Sequence, residues 1–193
     1  MKILIDRIKK DAVCLSGGVI KVDSFINHQM DTALVDAIGK EFADLFRDAK
    51  IDKILTIEAS GIGFGVTTGI HLGKIPVVFA KKSLPNTMTD KYYSAEIKSF
   101  TKGTSSLGIV TKKYLNKGEN ILIIDDFLAH GEASMGLIKI AEQAGCHVVG
   151  VGAVVEKVFQ GGGNKIREKG YRVESLAMVE KVNDDGSLVF ANE

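Results

Sequence analysis

Blocks of apolar residues with two different spacings alternate along this chain. Spacings of three and four residues predict helices, whereas short continuous apolar runs predict strands buried on both faces. Asp31 precedes the first long helical block and is a residue type that caps helix N-termini. The predicted elements, in chain order, are a helix from Asp31 to about Ala49, a strand over Lys53–Glu58, a glycine-rich helix over Gly61–Leu72, a strand over Ile75–Ala80, an antiparallel pair over Tyr92–Phe100 and Leu107–Thr111, a strand from Ile121, a helix from about Glu132 to Ala144, and a strand over His147–Val155.

The order of these elements indicates the fold class. Strands and helices alternate through the middle of the chain, which favours an α/β fold with a doubly wound, mostly parallel sheet. No linker or repeat interrupts the chain, so we expect a single domain over 1–193. Residues 1–30 and about 159–193 lie outside the alternation, and we expect them to form a small hood lobe packed on a core of about 31–158. The polar stretch Lys82–Asp90 is predicted to be a loop.

Composition narrows the class of protein and its partners. Of 193 residues, 45% are hydrophobic and 25% are charged, which is typical of a soluble globular protein. The formal net charge of +1 gives no reason to expect a nucleic acid or a membrane surface as a partner. No apolar run approaches the ~20 residues of a membrane span. The N-terminus becomes charged too early for a signal peptide, and two cysteines are too few for a disulfide scaffold. We therefore expect a cytoplasmic protein.

A continuous apolar run followed by two acids is the most informative stretch of the chain. Ile121 to Ile124 are apolar, which suggests a strand buried on both faces, and Asp125 and Asp126 end the run. A short turn and a helix from about Glu132 follow. In open α/β sheets ligands bind beyond the carboxyl ends of the strands, and a helix N-terminus suits a phosphate. The stretch therefore predicts a sugar-phosphate site; the alternative is a solvated turn after a core strand.

This stretch resembles the signature of the type I phosphoribosyltransferases, which consists of an apolar strand, Asp-Asp, about three residues, glycine and a helix. Members of that family bind phosphoribosyl pyrophosphate (PRPP) there. The common pattern has Thr-Gly at the tip of the turn, often followed by Gly-Thr, whereas this chain has His130, Gly131, Glu132 and Ala133. The turn therefore lacks the family's hydroxyl groups but keeps its backbone N–H groups.

The resemblance implies a role for each part of this stretch. Asp125 and Asp126 are the implied catalytic residues, which would stabilise the positive charge that develops on the ribosyl ring and fix the ribose hydroxyls. The turn Ala129–Ala133 would hold the 5′-phosphate. Mg²⁺ would be bound with PRPP and pyrophosphate, with several waters and few protein ligands.

A second loop with glycines joins a predicted strand to the glycine-rich helix. Its glycines would let the backbone approach a ligand closely, but their spacing fits neither a dinucleotide-binding fingerprint nor a P-loop. The resemblance assigns Glu58, Ala59, Ser60 and Gly61 to the pyrophosphate. The alternative is an ordinary strand-to-helix turn with Ser60 as the helix cap.

Two lysines follow the second predicted strand. A cation at the carboxyl end of a strand can neutralise the diphosphate as it departs, and the family often places a basic residue here. Lys81 is our candidate, with Lys82 as its substitute; the alternative is an exposed lysine without this role. The segment Ser83–Phe100 resembles the family's hood over PRPP, whose closure would exclude water.

The base site is predicted from segments near both ends of the chain. The stretch Lys21–Gln29 is closely similar to one in family members that act on xanthine, and the resemblance implies that Ile20 and Asn27 contact the base. Lys157 ends the last core strand and can donate to a purine carbonyl, which favours a 6-oxo base over adenine. Phe159 would stack on the base or pack under the small lobe. The alternatives are a turn before the helix at Asn27 and an ion pair of Lys157 with the acid that precedes it.

The resemblance covers nearly the whole chain and implies an enzyme of purine salvage. We expect transfer of the 5-phosphoribosyl group from PRPP to xanthine, forming xanthosine monophosphate and pyrophosphate. The alternatives are the same reaction on hypoxanthine, guanine or adenine, a PRPP-sensing regulator without catalysis, and a small-molecule binding protein.

A homodimer is also expected. Gly61, Gly63, Gly65 and Gly69 give the glycine-rich helix a small side that another backbone could approach closely. Members of the family commonly pair through comparable elements, and we expect this helix and the hairpin to lie near the interface. The alternative is that these glycines serve packing within the chain.

Overall fold

The computed structural model of the protein describes residues 1–15, 18–83, 91–99 and 104–191. The helices are α1 (Lys2–Asp11), α2 (Thr32–Leu45), α3 (Gly61–His71), α4 (Glu132–Gln143) and α5 (Gly162–Glu168). The strands are β1 (Val13–Leu15), β2 (Val19–Lys21), β3 (Lys53–Ile57), β4 (Val77–Ala80), β5 (Tyr92–Ser99), β6 (Thr104–Thr111), β7 (Asn120–Leu128), β8 (His147–Lys157), β9 (Val173–Val182) and β10 (Leu188–Phe190).

The strands form one large sheet and two small ones. Within the described residues, six strands pair in the order β10-β9-β8-β7-β3-β4. All neighbours from β9 to β4 are parallel, and β10 is antiparallel to β9. The remaining strands form two antiparallel pairs, β1 with β2 and β5 with β6. The predicted mostly parallel sheet and the predicted antiparallel pair are thereby confirmed.

Each face of the large sheet buries its own hydrophobic cluster. Successive residues of a strand point to opposite faces, so Leu122 and Ile124 of β7 join one cluster, and Ile121 and Ile123 join the other. Helices α1, α2 and α3 cover the first face, whereas α4 and the β5–β6 pair cover the second. Burial on both faces explains the continuous apolar run of β7 and gives the doubly wound arrangement.

Helix α2 begins where the sequence predicts and ends about one turn earlier than expected. Asp31 caps it, because the Asp31 carboxylate accepts a hydrogen bond of 3.2 Å from the Leu34 N–H. The helix ends at Leu45 rather than at about Ala49. At this end Arg172 donates to the Leu45 carbonyl at 2.7 Å, so a distant side chain satisfies an acceptor that a further helical turn would otherwise use.

Two strands also differ from their predicted bounds. Strand β4 begins at Val77 rather than Ile75, since Pro76 has no N–H to give to the ladder. Strand β7 does not end at Asp125 and Asp126 but continues to Leu128, because its backbone keeps pairing with β8. The two acids therefore lie inside the strand, near its carboxyl end, and not in the turn that follows.

The glycines of α3 serve packing within the chain. A Cβ on Gly65 or on Gly69 would lie 3.2 Å from a methyl group of Val77. A Cβ on Gly61 or Gly63 would press on side chains of this same chain. Glycine therefore lets α3 lie close to the sheet and to its neighbours, and the interpretation of these glycines as a surface for another backbone is wrong.

The terminal segments pack together, but the later one also extends the sheet. The amino group of Met1 donates to the Leu176 carbonyl of β9 at 2.7 Å. Strands β9 and β10, which follow the expected core, pair into the large sheet beside β8. The division into a core of about 31–158 and a hood lobe of about 1–30 and 159–193 stays a prediction.

The connection between β4 and β5 lies mostly outside the described part of the chain. Residues 84–90 of the predicted loop Lys82–Asp90 are among those not described, and so is Phe100 of the predicted hood Ser83–Phe100. No helix in the described ranges is both long and apolar enough to cross a membrane.

Candidate active site

Most of the predicted site residues lie at one edge of the large sheet. Strands β8, β7, β3 and β4 are adjacent and parallel, so their carboxyl ends share that edge. The short turn that contains Phe159 follows β8, and the turn Ala129–Ala133 follows β7. The loop Glu58–Gly61 follows β3, and Lys81 and Lys82 follow β4. The sheet therefore brings residues from four distant parts of the sequence to one crevice.

The first of the paired acids is buried. Asp125 is 3% exposed, and its carboxylate accepts a hydrogen bond of 3.0 Å from the Asp126 N–H. Burial raises the pKa of Asp125 well above its usual value, the negative charge of Asp126 raises it further, and the positive charge of Lys82 opposes both effects. Ionisation of both acids is therefore unfavourable in the ligand-free site. A positive charge close to them would make it more favourable.

The loop after β3 lies against β7. A Cβ on Gly61 would clash with the Thr56 hydroxyl and would lie 3.5 Å from the Ile124 carbonyl. Ser60 occupies the N-cap position of α3, as the alternative of an ordinary turn requires, but its side chain makes no capping hydrogen bond. The peptide bond between Glu58 and Ala59 is cis. These contacts put the backbone of the loop directly beside the acidic end of β7.

The two lysines after β4 differ in what they contact. The backbone of Lys81 exchanges two hydrogen bonds of 2.9 Å with Ile109, which ties it to β6. The Lys82 N–H donates to the Glu58 carboxylate at 2.6 Å, and the charge of Lys82 acts on Asp125. Lys82 therefore connects the loop Glu58–Gly61 to the acids, whereas the roles of Lys81 and Lys82 stay predictions.

The turn after β7 and the first turn of α4 have the geometry of an anion site. Gly131 has φ +84°, which a residue with a Cβ rarely adopts, and its carbonyl accepts the Met135 N–H at 2.8 Å. The N–H groups of the first helical turn have no partner within an α-helix. Ser134, in this first turn, is 1% exposed, and its hydroxyl has no hydrogen-bond partner among the described residues.

The glycine-rich segment after β8 supports this turn through its backbone. The Gly162 N–H donates to the Ala129 carbonyl at 3.0 Å. A Cβ on Gly162 would clash with that carbonyl and with the Gly131 nitrogen, and would lie 2.6 Å from the carbonyl carbon of His130. These contacts connect the glycines to the turn Ala129–Ala133.

Lys157, the central residue of the predicted base site, ends β8. Its amine donates to the Gly18 carbonyl at 2.9 Å and lies 5.5 Å from the centre of the Phe127 ring. Burial lowers the pKa of Lys157, with Cys14 opposing that shift. The alternative of an ion pair with Glu156 is wrong, because Glu156 binds Arg167 and Lys157 turns the other way along the strand.

The other predicted base contacts lie around this lysine or near the chain surface. Phe159 is 45% exposed, and a Cβ on Gly18 would lie 3.2 Å from its ring. Ile20 is buried in β2, just after Gly18. Asn27 ends the short π-helix Asp23–Asn27 and is exposed. The structure therefore brings Phe159 together with the segment that carries Ile20, whereas the role of Asn27 stays a prediction.

The described residues hold no ready-made metal cage. Across the described ranges, no three His, Cys, Asp or Glu side chains converge on a point that could hold an ion. The acids at the end of β7 nevertheless offer oxygen atoms, which Mg²⁺ prefers. This arrangement fits a cation that brings most of its ligands with the substrate.

Solved structures define the class of protein. No family model matches the chain. Adenine phosphoribosyltransferase from Thermoanaerobacter pseudethanolicus is similar at a TM-score of 0.67 with 28% identity, over 77% of this chain and 82% of that one. The enzyme of the same name from Trypanosoma brucei has a TM-score of 0.78 with 17% identity, over 95% of this chain and 82% of that one. The fold is that of the type I phosphoribosyltransferases.

Sequence relatives narrow the class to one family. Xanthine phosphoribosyltransferase of Lactobacillus acidophilus is 51% identical over 193 residues, which is 100% of both chains. The protein of the same name from Acinetobacter baumannii is 49% identical over 193 residues, again 100% of both chains. The chain belongs to the xanthine phosphoribosyltransferase family.

Replacing Asp125 with Asn is expected to stabilise the ligand-free protein at neutral pH but not at acidic pH. The unfolded chain ionises Asp125 near pKa 3.8, whereas the folded protein raises that pKa. Wild type therefore loses stability as pH rises from about 4 towards the raised pKa. Asn has no charge and still accepts the Asp126 N–H. Melting curves at about pH 4 and pH 7.5 should show that the melting temperature of Asp125→Asn exceeds that of wild type by more at the higher pH. Each kcal/mol of stability corresponds to about 2–4 °C in melting temperature.

A matched control has the opposite sign. The pKa of Asp44 is lowered by hydrogen bonds from Lys40 and Arg47, so Asp44 adds stability above its unfolded pKa and loses it as pH falls. Asp44→Asn should therefore lower the melting temperature slightly at neutral pH. An Asp125→Asn advantage that shrinks as pH rises would refute the burial argument.

Proposed function

We propose that the protein transfers the 5-phosphoribosyl group from PRPP to xanthine, giving xanthosine monophosphate and pyrophosphate. The observation that carries the proposal is the end of β7, where an acid pair whose first member, Asp125, is buried leads into a left-handed glycine and a helix N-terminus. Full-length similarity to enzymes named for xanthine supports the choice of base. Phosphoribosyl transfer at this crevice gives a role to the acid pair, to the loops that would hold the phosphates, and to the residues on the β8 side that would bind the base.

The acid pair is proposed to act on the ribosyl ring. A ring nitrogen of the base bonds to the anomeric carbon while the bond from that carbon to pyrophosphate breaks, and the nitrogen gives up its proton to water. Positive charge builds on the ribosyl ring during this exchange. Asp125 and Asp126 lie where they can stabilise that charge and bind the ribose hydroxyls. The same charge favours ionisation of Asp125, whose pKa the ligand-free protein holds high.

The two phosphate-bearing ends of PRPP are proposed to use separate loops. The turn Ala129–Ala133 holds the 5′-phosphate through backbone N–H groups at the start of α4, where the helix dipole favours an anion. The loop Glu58–Gly61 holds the pyrophosphate, with Lys81 or Lys82 neutralising it as it departs. Mg²⁺ would be held mainly by PRPP oxygens, with the acid pair within reach, and would supply charge neutralisation for the leaving diphosphate.

The base is proposed to bind on the β8 side. Lysine has three donors, so Lys157 can keep its bond to the Gly18 carbonyl and donate to a purine carbonyl as well. Adenine presents an amino group at the corresponding position, and a donor facing a donor is left unpaired. This favours xanthine, hypoxanthine or guanine over adenine, although the solved structures of similar fold are named for adenine.

A homodimer in the cytoplasm completes the proposal. The exposed side of α3 presents Val66 and Ile70, and Phe79 of β4 is also exposed. Helix α3 contacts β4, so these apolar side chains lie on neighbouring elements. Cys14 and Cys146 are free thiols, which agrees with a reducing compartment.

A panel of bases tests the reaction. With PRPP and Mg²⁺, we expect turnover of xanthine far above that of adenine, with hypoxanthine and guanine measured in parallel.

Asp125→Asn and Asp126→Asn should each lower kcat by about 100-fold or more, because each removes a charge that faces the developing cation. Circular dichroism should show that both variants remain folded. Efficient adenine turnover, or near-normal turnover by both variants, would overturn the proposal.

The role of Lys157 is tested by separating the two substrates. Lys157→Ala should weaken xanthine binding by about 1.5–3 kcal/mol, the usual cost of losing a charged hydrogen bond, and should change PRPP binding much less. Lys165→Ala removes an exposed lysine of α5 and serves as the control. Equal losses of affinity for xanthine and for PRPP in Lys157→Ala would show that the lysine does not bind the base selectively.

The dimer is tested by sedimentation at micromolar concentration. Wild type should sediment as a dimer, and Ile70→Glu should shift it towards monomer, because a charge on an apolar contact is costly to bury. Val189→Glu is the control, since Val189 is also exposed but lies at the opposite edge of the sheet. A wild-type monomer with full activity would reject the dimer.

A further inference from the structure

Glu156 is a buried acid that the proposed reaction does not use. It is 1% exposed and lies on β8 immediately before Lys157. Its two oxygens accept hydrogen bonds of 3.0 and 2.9 Å from the two terminal nitrogens of Arg167, and the Ser175 hydroxyl donates to it as well. A buried carboxylate is costly unless it is fully paired, and Arg167 and Ser175 supply that pairing for Glu156.

The partner of this acid lies on a helix that cannot hold its own position. Helix α5 spans only Gly162–Glu168, and isolated helices of that length are marginal in water. Burial of Ile166 holds α5 to the sheet, but hydrophobic contact has no direction. The bidentate ion pair between Arg167 and Glu156 fixes the orientation of the helix, because two parallel hydrogen bonds allow only a narrow range of geometries.

The first turn of the same helix touches both the acid and the phosphate turn. A Cβ on Gly163 would clash with Glu156, so the helix backbone lies directly on the carboxylate. Next to it, Gly162 donates to the Ala129 carbonyl and leaves no space for a side chain against Gly131. A displacement of α5 would therefore be transmitted directly to the turn.

We propose that Glu156 is a positioning residue for the 5′-phosphate site, acting through Arg167 and the first turn of α5 on the turn Ala129–Ala133. The inference rests on the proposed function, because it takes that turn to be the phosphate site. It predicts an effect on ribose 5-phosphate and PRPP, and little effect on the base. Lys157 points away from α5 and is held by its own strand, so the base contact does not depend on this ion pair.

The test measures binding and turnover in the full chain. Glu156→Gln keeps the shape and loses the charge. We expect its affinity for ribose 5-phosphate, by calorimetry, and its KM for PRPP to worsen about tenfold or more, since a displacement near 1 Å can cost ~100-fold. The KM for xanthine should stay within about twofold of wild type. Arg167→Lys, which lies at a partly exposed position and keeps one hydrogen bond, should show a smaller loss in the same direction.

The control breaks a comparable ion pair at the other end of the sheet. Lys53 donates to both oxygens of Glu119 at 2.9 Å, at the amino ends of β3 and β7. Glu119→Gln should lower the melting temperature without changing either substrate constant. Equal worsening for PRPP and xanthine in Glu156→Gln, or the same PRPP effect in Glu119→Gln, would overturn the proposal. If Glu156→Gln does not fold, an unchanged ribose 5-phosphate affinity in Arg167→Lys would overturn it.

The two proposals can fail separately. Absence of turnover with every purine would reject the proposed reaction. A loss of ribose 5-phosphate affinity in Glu156→Gln would still support the positioning role, because that measurement needs no base and no catalysis. Normal xanthine turnover together with unchanged sugar-phosphate affinity in both Glu156→Gln and Arg167→Lys would reject the positioning role alone.

Discussion

The parallel pairing of β8, β7, β3 and β4 is the constraint on which the site depends. Parallel strands align their carboxyl ends, so the residues that follow them meet at one edge whatever their distance in sequence. A parallel sheet must also be covered on both faces, which the two hydrophobic clusters achieve. Helices α3 and α4 begin just after β3 and β7, and α4 therefore presents the N–H groups of its first turn at the edge of the sheet where the acids lie.

The end of β7 shows a conflict between stability and function. Asp125 lies in a strand whose preceding residues are fully buried, and its carboxyl group is buried with them. Continued pairing with β8 keeps this group in place instead of releasing it into a solvated turn. The protein thus holds an acid where its ionised form is disfavoured. Positive charge that develops on a bound substrate, or a cation near it, would stabilise the ionised form of Asp125. The cost of burying this acid would then be offset during the reaction.

The sequence predicts the sheet and the strands that carry the candidate site better than the long-range contacts that hold those elements in place. The apolar run and the Asp-Asp pair reveal β7 and its acidic carboxyl end, because both are local features of the sequence. The continuation of β7 to Leu128 depends on pairing with β8, and the early end of α2 depends on Arg172, which lies more than a hundred residues away. Long-range contacts of this kind leave no local pattern to read.

Glycine and the buried acid show most clearly where sequence reasoning stops. Gly162 and Gly163 mark a close approach, but only the fold shows that they approach Ala129 and Glu156. Glu156 itself looks like the ion-pair partner of Lys157 when only neighbours in sequence are considered. In the strand these two side chains face opposite ways, so one is available to the base and the other anchors α5. A single step along β8 therefore separates the residue that we propose contacts the base from the one that we propose supports the phosphate turn.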